Sequence, residues 1–144
     1  MSRRHAGNYR DKHPAGTTAD PSVAEAVSNE IRDYKIACRT AFRIAERLSV
    51  SPRKVGIAID LQQGRIMACQ LGLFGYGKDN KRVAESRQVE EALQSAISAE
   101  LVDGRLPCEK AWGIADRANL HRFEVADACE SLGIRICRCQ LGAF

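Results

Sequence analysis

No apolar run in these 144 residues approaches the roughly 20 needed to cross a bilayer. The segment Met1 to Pro21 is polar and lacks the apolar stretch of a secretory signal, so the expected location is the cytoplasm. In that compartment the six cysteines are expected to be thiols or metal ligands rather than structural disulfides. No C-x-x-C occurs, and the three histidines share no spacing with the cysteines. No Ser/His/Asp or Cys/His arrangement recurs at an explanatory spacing, so a non-enzymatic role without cofactor is expected. Gly72-x-x-x-x-Gly77-Lys78 imitates a phosphate-binding loop. Asp79 stands where magnesium would need Ser or Thr, and no helix follows at once, so a turn is the expected structure.

The chain does contain a repeat. Cys69-Gln-Leu-Gly-Leu-Phe74 matches Cys139-Gln-Leu-Gly-Ala-Phe144 at an offset of 70 residues. Extended backwards without a gap, 22–74 and 92–144 share 18 identities in 53 positions, among them Cys38/Cys108, Ile44-Ala45/Ile114-Ala115 and Arg65-Ile66/Arg135-Ile136. Many differences preserve character, as in Phe42/Trp112 and Asp60/Glu130. A fixed period of this kind marks one structural unit written twice. The expected organisation is a disordered basic arm over 1–21, a first unit over 22–74, a linker or wing over 75–91, and a second unit over 92–144.

Within each copy the apolar spacing predicts three helices. The first starts at Ser22 with Glu25 in a capping-box position and a stripe of Val23, Val27, Ile31 and Tyr34. Its counterpart carries Val89, Leu93, Ile97 and Leu101 and is expected to begin in the linker. The second follows Cys38 with Ala41, Ile44, Ala45 and Leu48, matched by Ala111, Ile114, Ala115 and Ala118. After a short break, Pro52 suits the first turn of a third helix burying Val55, Ala58 and Ile59, or Val125, Ala128, Cys129 and Leu132 in copy two. Arg65 to Leu71 and Ile134 to Leu141 read as strands. Lys35-Ile36-Ala37 is placed to pair with the first of these.

The run Ala41-Phe-Arg-Ile-Ala-Glu-Arg-Leu-Ser-Val-Ser-Pro-Arg-Lys-Val-Gly-Ile-Ala-Ile59 resembles the helix-turn-helix of winged-helix DNA-binding domains. The implied fold is mainly α with small β (α+β): two tandem winged-helix-like units related by internal duplication.

That resemblance implies a DNA-binding protein, of the transcriptional-regulator kind, holding double-stranded DNA mainly through the first unit. Arg53 and Lys54 stand at the start of the third helix, Arg39, Arg43 and Arg47 on the second, and Lys78, Lys81 and Arg82 after the Gly-rich loop, where a wing would meet phosphates. Arg3, Arg4, Arg10 and Lys12 would form an arm that follows a groove. Against this, the base-facing positions of the third helix hold Gly56, Ile57 and Asp60, and in copy two Ala126, Asp127 and Glu130. An alternative reading is a protein-interaction or assembly module that binds no nucleic acid, using those small positions for close packing; self-association as a homodimer is compatible with either. A third reading is a metal or redox site at the repeated Cys38/Cys69 and Cys108/Cys139 pairs, although two thiolates per copy do not complete a tetrahedral zinc site. Cys129 and Cys137 align with Ile59 and Met67 and read as small core residues.

Overall fold

The computed structural model describes residues 8–77 and 88–144. It is mainly helical with small strands. The order is a 3-10 helix (Tyr9–Lys12), α1 (Pro21–Glu30), β1 (Lys35–Ala37), α2 (Cys38–Leu48), α3 (Pro52–Leu61), β2 (Arg65–Met67), α4 (Glu91–Ala99), β3 (Leu106–Pro107), α5 (Cys108–Ala118), α6 (Arg122–Leu132) and β4 (Ile136–Cys137). Among the described residues no helix is long and apolar enough to cross a membrane.

The chain divides into two compact units, and the division is not where the repeat divides. Unit 1 takes Met1–Cys69 together with Gln140–Ala143; unit 2 takes Gln70–Cys139 together with Phe144. Each Gln-Leu-Gly segment therefore belongs to the unit built from the other copy. This differs from the continuous units expected over 22–74 and 92–144.

In unit 1 the α1 N-terminus is set one residue earlier than Ser22. Asp20 is the N-cap, accepting from the Ser22 amide at 2.9 Å and the Ser22 hydroxyl at 2.6 Å, and Pro21 occupies the first turn. Those hydrogen bonds hold the Asp20 carboxyl below its ordinary value, the side-chain bond to Ser22 contributing most. The helix stops at Glu30, so Ile31 and Tyr34 are not part of its stripe. Arg32 and Lys35 exchange backbone hydrogen bonds around Asp33 (φ 52°) and Tyr34 (φ 60°), a tight turn that both residues enter in the left-handed region. Tyr34 is left 42% exposed. The turn feeds β1, which pairs in parallel with β2 as Lys35↔Arg65, Ile36↔Ile66 and Ala37↔Met67. The pairing matches the sequence expectation. The strand is shorter than 65–71, because Ala68 turns into the left-handed region at φ 50° and ends the ladder.

α2 begins at Cys38 and buries Cys38, Ala41, Ile44 and Ala45 at helical spacing, with Leu48 half-buried. Ser49 (φ 53°) closes it, and Ser51 caps α3 by accepting from the Lys54 amide at 3.3 Å, with Pro52 in the first turn where its missing N–H costs nothing. The core of unit 1 gathers Val23, Val27, Ile44, Val55 and Ile59, all essentially inaccessible, and Leu141 at 1% exposure. Burying a leucine to that extent is worth roughly 1.5–3 kcal/mol. The C-terminal segment is thus part of the core rather than a trailing strand.

Unit 2 repeats this arrangement at the same offset. A tight turn at Asp103 and Gly104 precedes β3, which pairs in parallel with β4 through Leu106↔Ile136 and Pro107↔Cys137. Asn119 (φ 56°) closes α5 where Ser49 closes α2, and Arg138 (φ 51°) ends β4 where Ala68 ends β2. β4 is correspondingly shorter than the expected 134–141. Ile97, Ile114, Val125 and Cys129 occupy the places of Val27, Ile44, Val55 and Ile59, and Leu71 fills the place of Leu141. α4 begins at Glu91 and ends at Ala99, so neither Val89 nor Leu101 lies on it. Leu93 and Ala96 are half-buried where their counterparts Val23 and Ala26 are buried; Leu132 is half-buried and Ala118 exposed.

Residues 8–20 also depart from the expected disordered arm. The 3-10 helix packs on α3, and the reason is a carboxylate. Asp60 sits in α3 at 3% exposure, and its Oδ2 is met by His13 Nε2 at 2.8 Å and Lys12 Nζ at 3.1 Å. A buried charge must be paired, and the arm supplies the partners. Arg10 adds a hydrogen bond from its guanidinium to the Leu61 carbonyl at 3.0 Å.

Candidate nucleic-acid interface

α2 is strongly two-sided. With Cys38, Ala41, Ile44 and Ala45 turned to the core, Arg39, Arg43 and Arg47 fall at four-residue intervals on the outer face and are exposed, with Glu46 among them. The left-handed turn at Ser49 then directs α3 so that Arg53 and Lys54 stand exposed in its first turn. The positive end of the α3 dipole lies beside these side chains. Among the described residues none of these five cations makes an ion pair. Lys78, Lys81 and Arg82, and the arm residues Arg3 and Arg4, lie outside the described residues.

Unit 2 does not reproduce this face. The positions of Arg39, Arg43, Arg53 and Lys54 are Glu109, Gly113, Phe123 and Glu124. Arg117, the counterpart of Arg47, pairs with Glu100 at 3.6 Å, as Lys110 does at 3.5 Å. Arg122 lies over the Trp112 ring at 3.6 Å from its centroid and hydrogen-bonds to Gln70. The described residues of unit 1 carry ten Lys or Arg against seven Asp or Glu; those of unit 2 carry six against nine.

The base-facing positions of α3 are another matter. Gly56 is buried, and a side chain there would collide with the Leu141 carbonyl. Asp60 is enclosed by Lys12 and His13, and Ile57 is half-buried. Segment 140–143 runs along this face. Lys12 Nζ donates to the Gly142 carbonyl at 2.9 Å, and the Arg53 guanidinium lies against Gly142. Two of the three positions at which the fold analogy would read bases are thus closed over by the protein itself. Arg10 and Lys12, assigned from sequence to a groove-following arm, are engaged with Leu61, Asp60 and Gly142 instead.

Comparisons with family models, with curated proteins and with solved structures found no match.

The repeated cysteines fall inside the folded units. Cys38, Cys69 and Cys108 are buried and Cys139 half-buried, and none of the six cysteines is in a disulfide. Parallel pairing of β1 with β2 sets Cys38 and Cys69 at the same end of their two-stranded sheet, as β3 and β4 do for Cys108 and Cys139. Among the described residues no group of three or more His, Cys, Asp or Glu gathers as a metal-ligand set. Cys129, also buried, has its thiol pushed up to about 11 by desolvation. Asp60 with its partners Lys12 and His13 was the interaction that sequence reasoning missed. The available signal was a carboxylate one position from Ile59 on a helix otherwise apolar at Val55, Ala58 and Ile59.

Proposed function

We propose that this chain binds double-stranded DNA through unit 1, as a winged-helix-like regulator whose α2 and α3 N-terminus grip phosphates. The observation that carries the reading is the exposed cationic face of Arg39, Arg43, Arg47, Arg53 and Lys54, without an ion pair among the described residues; four of its five positions are replaced in the other copy, and the fifth, Arg117, is paired with Glu100. Cations so placed position a protein on a duplex without reading sequence. The enclosure of Gly56 and Asp60 favours backbone contacts over base readout by the middle of α3.

The test is anisotropy of a labelled random duplex across a salt series. Five phosphate contacts give a slope of about −4.5 in log affinity against log salt, a loss of roughly 500-fold between 50 and 200 mM. Arg43→Ala and Arg47→Ala should each lower the slope by about one unit. Absence of binding at 50 mM salt, or a slope unmoved by both substitutions, refutes the reading.

The second reading is a protein-interaction module without nucleic-acid binding. It is supported by a cavity of about 540 Å³ in unit 2. That cavity is lined by Val89, Leu93, Ala96, Ile114, Leu120 and Ala128 among others, where the looser seating of α4 leaves apolar side chains half-buried.

A further inference from the structure

The two Gln-Leu-Gly segments are the most closely matched part of the repeat, and neither stays with its own copy. In both, the chain crosses to the other unit after a cysteine: Cys69 belongs to unit 1 and Gln70 to unit 2, Cys139 to unit 2 and Gln140 to unit 1. In both, the residue before that cysteine is a non-glycine held in the left-handed region, Ala68 at φ 50° and Arg138 at φ 51°. Such a conformation disfavours an L side chain, and its recurrence marks the same turn leading each segment away. Each unit then buries the arriving leucine completely, Leu141 in unit 1 and Leu71 in unit 2.

The receiving face in unit 1 is shaped for the segment it holds. Gly56 leaves room for the Leu141 carbonyl, Lys12 donates to the Gly142 carbonyl at 2.9 Å, and Arg53 covers Gly142, whose φ of +81° suits glycine. In unit 2 the corresponding helix position is Ala126, and the arriving segment brings Leu73 and Phe74, which line a cavity with Ala126 and Cys129.

We propose that the α3 face of unit 1 is a binding site for a Gln-Leu-Gly segment, and that a second copy of this chain can supply it. A site filled by a short segment from a distant part of the sequence does not distinguish which copy donates it. Exchange of an identical element is a low-cost route to a dimer. The same residues make the same contacts in the closed monomer and in the exchanged pair. The bias between the two comes from chain concentration, and conversion requires a transient release of Gln140–Ala143. This inference stands apart from the DNA reading and survives its failure.

The experiment uses full-length chain labelled at the amino terminus with donor or acceptor dye. The two populations are unfolded together in urea and refolded at concentrations spanning a hundredfold. The expected result is a species of twice the monomer mass that shows energy transfer, its fraction rising with refolding concentration. A synthetic hexapeptide of residues 139–144, added in excess during refolding, should occupy the site and suppress that species at least tenfold; the peptide carrying Leu141→Asp should not. Gly56→Ala chain should form little of it. Monomer alone at every concentration overturns the proposal. So does a dimer indifferent to the hexapeptide, a comparison that stands even if Gly56→Ala fails to fold.

Discussion

Replacing glycine by alanine in the interior of a helix ordinarily stabilises a protein by up to about 1 kcal/mol. Two helical glycines in this chain should respond with opposite signs. Gly113 lies in α5, and a methyl group there would meet only Arg117 Nη1 at 3.1 Å, the far end of a flexible side chain. Gly113→Ala should therefore gain close to the full helix-propensity term. Gly56 lies in α3, and there a methyl group would overlap the carbonyl, and crowd the Cα, of Leu141, all of it backbone. Relief requires Gln140–Ala143 to withdraw. That exposes Leu141, at a cost of about 1.5–3 kcal/mol, and breaks the Lys12 hydrogen bond to Gly142, worth about 1 kcal/mol. Against a propensity gain of about 1 kcal/mol, Gly56→Ala should be destabilising by about 1.5–3 kcal/mol. For units of this size each kcal/mol moves the thermal midpoint by about 4–8 °C. Circular dichroism at 222 nm during heating and in urea measures both variants, and the single tryptophan, Trp112 in unit 2, follows that unit separately. A midpoint for Gly56→Ala raised as much as that of Gly113→Ala would refute the placement of segment 140–143 on α3.

Further outcomes are expected at Asp60 and at Cys129. His13→Ala removes one of two partners from the buried Asp60 and should destabilise unit 1 by about 2 kcal/mol, the range for a hydrogen bond to a charged group. Lys12→Ala loses the hydrogen bond to Gly142, worth about 1 kcal/mol, and an ion pair to Asp60 that is screened because the side chain is 36% exposed, so it should cost about 1–2 kcal/mol; equal urea midpoints for wild type and His13→Ala would contradict the account of the arm. Cys129 should resist a thiol reagent in the native protein at pH 8, when its thiol is protonated and covered. Because folding raises its pKa from 9.0 to about 11, its favourable contribution is complete below pH 9 and drains away as the pH climbs towards 11. Cys129→Ala should flatten that alkaline loss, and an unchanged profile would exclude it.

The sequence made the helices legible because their stripes are regular. Ala41, Ile44 and Ala45 sit in the core as their spacing demands, and Pro52 opens α3 where a missing amide proton is harmless. Other features depended on contacts that no local pattern encodes. Ile31 and Tyr34 continue the period of α1, yet the Arg32–Lys35 turn intervenes, and nothing in the spacing distinguishes a stripe that continues from one that is cut. The arm looked like a solvated tail because its composition is polar; its role follows from Asp60, one residue in a helix 47 positions beyond His13. The exchange of the Gln-Leu-Gly segments was least accessible. Matching two copies reveals that the segments are equivalent, but equivalence does not say which unit each completes. The difference between Gly56 and Ala126 was visible, and it became informative only once Leu141 was seen against it.

Leu141 also imposes an order on synthesis. When Cys69 leaves the ribosome, the residues of unit 1's helices and both strands have been made, but the leucine that closes its core is encoded 72 codons later. At 5–20 residues per second that wait lasts about 4–14 s. Throughout it the nascent chain displays an unfilled apolar slot beside Gly56, while Leu71 has emerged without the unit it will enter. Neighbouring ribosomes on one message would hold such half-made chains side by side, each offering the slot that another chain's Leu141 would fit.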